Sequence, residues 1–210
     1  MPKFLNKLNS QTNKDFDFYI SNNAENKDTK IVGYLNKYGN GLGINVSIKN
    51  YHNQYKMFSR FYLAKELAEQ GYERVIFVDD DQVLSPSFIQ DCYDQYDDRY
   101  VKSFYAHKFE DDYWKKVRLV GNEEGNYAGG GGLLCPASLF LDERFFDVPE
   151  EYYIIDDLWL SYFILCYTKY KIRLLDTEIQ FIYDDKATFP SIIELKREFC
   201  DQYILKRNMS

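Results

Sequence analysis

Four apolar residues, Val75-Ile76-Phe77-Val78, run directly into three consecutive carboxylates, Asp79-Asp80-Asp81. An apolar run this short, cut off by charge, has the composition of a strand buried on both faces of a parallel sheet. Upstream, over residues 56–70, Met57, Phe61, Ala64 and Ala68 recur at i, i+4, i+7 and i+11, and Gly71 follows as a stop, so one helical face is apolar. A helix, a tight loop and a buried strand make half of an α/β unit. In an extended segment residues i and i+2 face the same way, so Asp79 and Asp81 are expected to present two carboxylates to one point beyond the strand's carboxyl end. Open α/β sheets bind ligands there. Three adjacent carboxylates repel one another unless donors or a cation neutralise them, and Mg²⁺ or Mn²⁺ takes carboxylate together with phosphate oxygens. The plainer reading is a solvated acidic turn.

Other elements follow the same alternation. Phe4, Leu5 and Leu8 suggest a first helix, residues 15–21 and 44–48 have strand composition, and 22–30 reads as a polar loop. Ser85-Pro86 opens a helix to about residue 96, 100–105 reads as a strand, and 110–126 as a long excursion. Asp156-Asp157 heads an aromatic helix to about residue 168. Pro190, Ser191 and Glu194 fit a capped amphipathic helix at the end. With 210 residues and 45% hydrophobic residues, the chain is expected to form one domain, with a nucleotide-binding half over 1–105, an acceptor-side half over 106–190 and a closing helix over 191–210.

Charge narrows the partners. The 26 Lys and Arg against 33 Asp and Glu give a net charge of −7, which disfavours a nucleic acid held by bulk electrostatics. No apolar stretch reaches the length of about 18 residues needed to cross a bilayer, and no basic-then-apolar leader is visible, so a cytoplasmic protein is expected. Cys92, Cys135, Cys166 and Cys200 form no C-x-x-C pair, and His52 and His107 form no ligand spacing; reduced structural thiols and no histidine metal site are the expectation.

Three further groups are candidates for chemistry. The glycines at 129–132 can let a backbone approach a sugar or phosphate closely, or serve only as a flexible connection. Asp156 and Asp157 can act as helix caps, or one of them can accept a proton from a hydroxyl. Arg60 can hold phosphate or an aspartate, or simply face solvent.

Taken together, FLNKLNSQTNKDFDFYISNN, MFSRFYLAKELAEQGYERVIFVDDDQVL, YAGGGGLLCPASLF and IIDDLWLSYF resemble, in order, segments of the GT-A fold nucleotide-sugar glycosyltransferases, in particular the small enzymes of large DNA viruses of the chlorella virus and mimivirus kind. The resemblance implies an α/β fold of GT-A, Rossmann-like type with a mixed, mainly parallel sheet, lacking the usual first strand. It implies transfer of a sugar from a UDP-type donor to the hydroxyl of a glycan or glycoprotein, with Mn²⁺ or Mg²⁺ as cofactor. Asp81 would coordinate the metal and Asp79 the metal or the ribose, with Asp80 between them. Arg60 would steady the diphosphate or the acidic run. Ser21 and Asn22 would lie near the base, and Gly130, Gly131 and Gly132 would line the sugar pocket. Asp157, ahead of Asp156, would be the base of an inverting reaction. Two rivals share residues with this scheme. Asp79-Asp80-Asp81-Gln82-Val83 also fits the D-x-D-x-[TV] pattern of haloacid dehalogenase-type phosphatases, with Asp79 as nucleophile, and a non-catalytic sugar-binding module would keep the fold without turnover.

Overall fold

The computed structural model describes residues 1–24, 27–39, 41, 43–181 and 189–206. Along them run α1 (Pro2–Asn9), β1 (Phe18–Asn22), α2 (Asp28–Tyr38), β2 (Val46–Asn50), α3 (Ser59–Glu69), β3 (Arg74–Phe77), β4 (Gln82–Leu84), α4 (Phe88–Gln95), β5 (Tyr100–Ser103), β6 (Ala106–Phe109), β7 (Lys116–Arg118), β8 (Glu124–Gly125), β9 (Tyr127–Ala128), β10 (Leu133–Pro136), α5 (Asp156–Tyr167), β11 (Lys171–Leu174), β12 (Ile179–Phe181) and α6 (Phe189–Phe199).

The architecture is mixed α/β, but the sheets are not mainly parallel. Strands β1 and β2 form a parallel pair, and a five-stranded sheet has the order β3-β10-β5-β11-β8. Within that larger sheet only β5 and β11 run parallel, because β10 follows its glycine-rich turn directly and lies antiparallel between β3 and β5. Two small antiparallel sheets, β12-β4 and β7-β6-β9, complete the set among the described residues. Nor is β3 buried on both faces. Its residues alternate half-buried and buried, and it sits at one end of the five-stranded sheet.

Helix α3 forms as its spacing predicts but buries Phe61, Leu63, Ala64 and Leu67, leaving Met57 exposed. Leucine content therefore sets the buried stripe more than the Met57–Ala68 register. The stretch read as a polar loop becomes α2 from Asp28 onward. None of its residues is buried, so it leaves no apolar stripe to read. The 110–126 excursion is largely built structure: β6 and β7 pair as a hairpin, Tyr113 is fully enclosed, and Asn126 both donates to the Phe109 carbonyl and accepts from its N–H. Helix α6 begins at Phe189, and the Ser191 side chain expected to cap it lies outside the described residues.

Two apolar clusters hold these elements. The larger reaches from Tyr51 to Leu205 and so ties together all three sequence segments expected as subregions. At its centre Phe61 stacks on Phe140 at 5.4 Å, and Phe145 meets Phe163 edge-on at 5.1 Å, geometries worth about 0.5–1.5 kcal/mol each beyond area burial. The smaller joins Phe4 and Leu8 of α1 to Leu84, Phe88 and Ile89. Helix α5 runs through the larger cluster with Leu158, Trp159, Leu160, Phe163 and Ile164 buried. It is apolar nearly all round, as a core helix must be.

Candidate functional site

Arg60, in the first turn of α3, gathers the site. Its Nη1 donates to Asp79 Oδ1 at 3.1 Å and to the Gly130 carbonyl at 3.2 Å, and its Nε lies 2.9 Å from Asp156 Oδ2. One guanidinium thus links α3, the end of β3, the glycine run and the start of α5. The side chain is 14% exposed. Burial alone would weaken its proton, but the negative charges of Asp156, Asp79 and Asp157 outweigh burial and raise its pKa. It is a fixed positive charge.

The acidic run is a turn, not an extended strand end. The Gln82 N–H donates to the Asp79 carbonyl at 3.2 Å, and the Asp79 N–H donates to Gln82 Oε1 at 2.9 Å. Aspartate is well suited to such turns. The i, i+2 alternation therefore does not apply. Asp79 turns to Arg60, while Asp80 is 70% exposed and lies 3.7 Å from the amine of Met1. Asp81 is exposed too; partial burial and the charges of Asp79 and Asp80 push its carboxyl up. Gln82, which sequence reasoning missed, is fully buried, and its Nε2 has no hydrogen-bond partner among the described residues.

The glycines are required by this chain's own side chains. A Cβ at Gly131 would stand 2.3 Å from Gln82 Nε2 and 2.7 Å from Asp79 Oδ2, closer than any real contact. Gly132 adopts φ +70°, and a Cβ there would meet Ile179 Cδ1 at 2.4 Å. The positive φ and the missing Cβ let the chain turn into β10 directly behind the acidic turn.

Asp156 and Asp157 occupy the first turn of α5 and are both buried, at 4% and 9% exposure. The Asp157 N–H donates to Asp156 Oδ1 at 3.0 Å. Beyond that bond they diverge. Asp156 faces Arg60; burial pushes its carboxyl up to about 6, with Arg60 opposing and Asp157 and Asp79 reinforcing. Asp157 has other partners. Its Oδ2 accepts from the Tyr127 hydroxyl at 2.5 Å and lies 3.4 Å from Lys196 Nζ of α6, and its Oδ1 accepts from the Leu158 N–H at 2.9 Å. Burial would raise its pKa, but Lys196, Tyr127 and the Leu158 amide together hold it below the ordinary value. Tyr127 and Lys196 carried no signal beyond being one tyrosine of 20 and one lysine on an amphipathic helix.

Ser21 and Asn22 end β1. The Ser21 and Ser59 hydroxyls are hydrogen-bonded at 2.9 Å, which sets β1 beside the start of α3. Asn22 is buried and donates to Asp28 Oδ1 at 2.7 Å and Asn50 Oδ1 at 2.9 Å. A cleft of about 1420 Å³ reaches from these residues to Arg60 and Asp79, Asp80 and Asp81; the glycine run and the Asp156-Asp157 pair do not line it. Among the described residues no group of three or more His, Cys, Asp or Glu side chains is arranged to hold an ion alone, and no helix is long and apolar enough to cross a membrane. No protein-family model matches this chain, and no curated protein matches it. Its chemistry must be read from the arrangement itself.

Proposed function

We propose that this chain is a metal-dependent glycosyltransferase of the GT-A type that passes a sugar from a nucleotide donor of the UDP type to a hydroxyl acceptor. The observation that carries the reading is Arg60 bridging Asp79 and Asp156, because it brings two acidic motifs 77 residues apart to opposite sides of one cation. A divalent ion fits the donors present. Asp79 commits one oxygen to Arg60, and the exposed carboxylate of Asp81 lines the same cleft, close enough for the Asp79 charge to act on it. Two carboxylates with substrate phosphates are a usual Mg²⁺ or Mn²⁺ set, so no third protein ligand is needed. When bound, the ion would stabilise the departing diphosphate.

The remaining roles belong to the side chains. Asp156 is 4% exposed and does not line the cleft; with its carboxyl pushed up to about 6, it acts through Arg60. Asp157, held ionised by Lys196 and Tyr127, positions the start of α5. Arg60 keeps Asp79 and Asp156 in register and supplies the positive charge that a diphosphate would meet.

Calorimetry with a panel of UDP-sugars, with and without Mn²⁺, followed by an assay of UDP release, tests this reading. Mn²⁺-dependent binding and release, both lost in Asp81→Asn, is the expected result. Hydrolysis of p-nitrophenyl phosphate without sugar-nucleotide binding would replace it with the phosphatase reading. Mn²⁺-dependent binding without turnover across an acceptor screen would leave a sugar-binding module.

A further inference from the structure

The large cleft has walls made of main chain. It is lined by every residue of β1 and every residue of β3, yet among the described residues each of these strands is paired on one side only. The direction of the unpaired groups follows from the bonds that are made. In β1 the Phe18 N–H donates to Asn45 O and the Asn22 carbonyl accepts from the Tyr51 N–H. Alternation in the ladder then turns the main-chain groups of Tyr19 and Ser21 away from β2. In β3 the Glu73 and Phe77 carbonyls accept from the Ala137 and Gly132 amides on the β10 side, so those of Arg74 and Ile76 point away from β10.

The two open edges also run in the same direction. The far end of β1 meets the start of α3 through Ser21 and Ser59, and the far end of β3 meets the same turn of α3 through Asp79 and Arg60. At the near ends, Tyr72, two residues before β3, donates from its hydroxyl to Asp17, just before β1. Apart from Arg74, the side chains of β3 and of Val78 after it carry apolar surface to both faces. Val75 and Phe77 belong to the cluster containing Leu63 and Leu67 of α3, whereas Ile76 and Val78 point to the opposite face and join Phe4, Leu8 and Phe88.

We propose that this slot is a docking site for an extended apolar strand of a partner polypeptide, inserted between β1 and β3 and joining them into one sheet. Main-chain hydrogen bonds on both edges select an extended peptide over a compact ligand, and the two apolar faces select Val- and Ile-rich residues on both sides of it. The strand would end beside Asp79, Asp80 and Asp81, which rim the same space. The slot shares its rim with the proposed donor site, and the inference stands or falls on peptide binding alone.

The probe is a fluorescein-labelled, Lys-flanked heptapeptide of Val and Ile, offered to the full chain. Saturable binding is expected, with amide exchange slowed at least about tenfold at Tyr19, Ser21, Arg74 and Ile76. The same peptide N-methylated at alternate residues should bind about tenfold more weakly, because each methyl removes an edge hydrogen bond. Ile76→Pro removes a slot-facing N–H that β10 does not use. A folded Ile76→Pro chain should show a similar loss, and the methylated peptide makes the same test without touching the protein. Equal binding of the methylated peptide, or binding without slowed exchange at these four amides, would overturn the proposal. Slowing that appears without peptide as protein concentration rises would overturn it in favour of a second copy of the chain, and slowing produced by UDP with exclusion of the peptide would overturn it in favour of a nucleotide.

Discussion

Asp156 and Asp157 are consecutive, begin the same helix and are both buried, yet they meet different cations. Asp156 meets Arg60, which is shared with Asp79, so two carboxylates divide one guanidinium. Asp157 has Lys196, the Tyr127 hydroxyl and the Leu158 amide. Burial raises both pKa values; only the second residue has enough donors to reverse it. Neighbouring residues of one type are thereby sorted into a group that can exchange a proton and a group that stays charged, and the sorting depends on partners rather than on depth.

Replacing the shared cation is the strongest way to break this contrast. Arg60→Met leaves Asp79 and Asp156 without their common partner, and removing one member of a buried ion pair costs about 3–5 kcal/mol. A fall of that size in urea-unfolding free energy at pH 7 is expected. An unchanged midpoint would mean that the two carboxylates do not need Arg60 to coexist.

Next in size is the pH dependence at Asp156. A carboxyl raised from 3.8 to about 6 on folding favours the neutral form in the folded state. Its stabilising contribution is full below about pH 4 and is lost as pH rises through 6. At about 1.4 kcal/mol per unit, the loss is up to roughly 3 kcal/mol. Asp156→Asn should remove this fall from the stability profile between pH 4 and 7, as measured by denaturant unfolding at each pH. Under the proposed function it should also weaken UDP-sugar binding, because Arg60 loses one of its two charged partners. A profile with the same slope in wild type and variant would erase the distinction between the two aspartates.

Lys196→Met probes the other side, with an expected cost of about 2 kcal/mol for a buried carboxylate that keeps Tyr127 and the Leu158 amide. In a double-mutant cycle with Asp157→Asn the two costs should fall short of additive by about 1 kcal/mol. Simple additivity would show that the 3.4 Å pair contributes no coupling.

The difference between the two sides also explains what the sequence could reveal. The Arg60 side was legible because it is built from local pattern: a helical stripe, an apolar run stopped by charge, and two aspartates at a helix start. Even there the pattern identified the groups and not their directions. The three aspartates close a turn through Gln82, and the glycines accommodate Arg60, Gln82 and Asp79 in close packing. The Asp157 side depends on contacts 30 and 39 residues away along the chain, for which a single tyrosine or lysine carries no periodic mark. Sheet direction was misread for a related reason. An apolar run reports burial, but the antiparallel pairing comes from β10 lying between β3 and β5, a tertiary contact with no mark in the run itself.

The smallest expected effect on stability lies at the rim, where the acidic turn leaves the buried cluster. Asp80 is 70% exposed, and its contact with the Met1 amine is 3.7 Å long, so water screens most of the attraction. Asp80→Ala should change unfolding free energy by less than about 0.5 kcal/mol, and Asp81→Asn, also exposed, should be equally quiet. Under the proposed function the two should separate in a Mn²⁺ titration: Asp81→Asn loses the metal dependence of UDP-sugar binding, while Asp80→Ala keeps it. Stability costs confined to Arg60, Asp156 and Lys196, with metal dependence confined to Asp81, would mean that the buried carboxylates shape the site and the exposed one meets the ligand. A large stability loss from Asp80→Ala would instead place the whole turn inside the folded network and remove the distinction between its inner and outer ends.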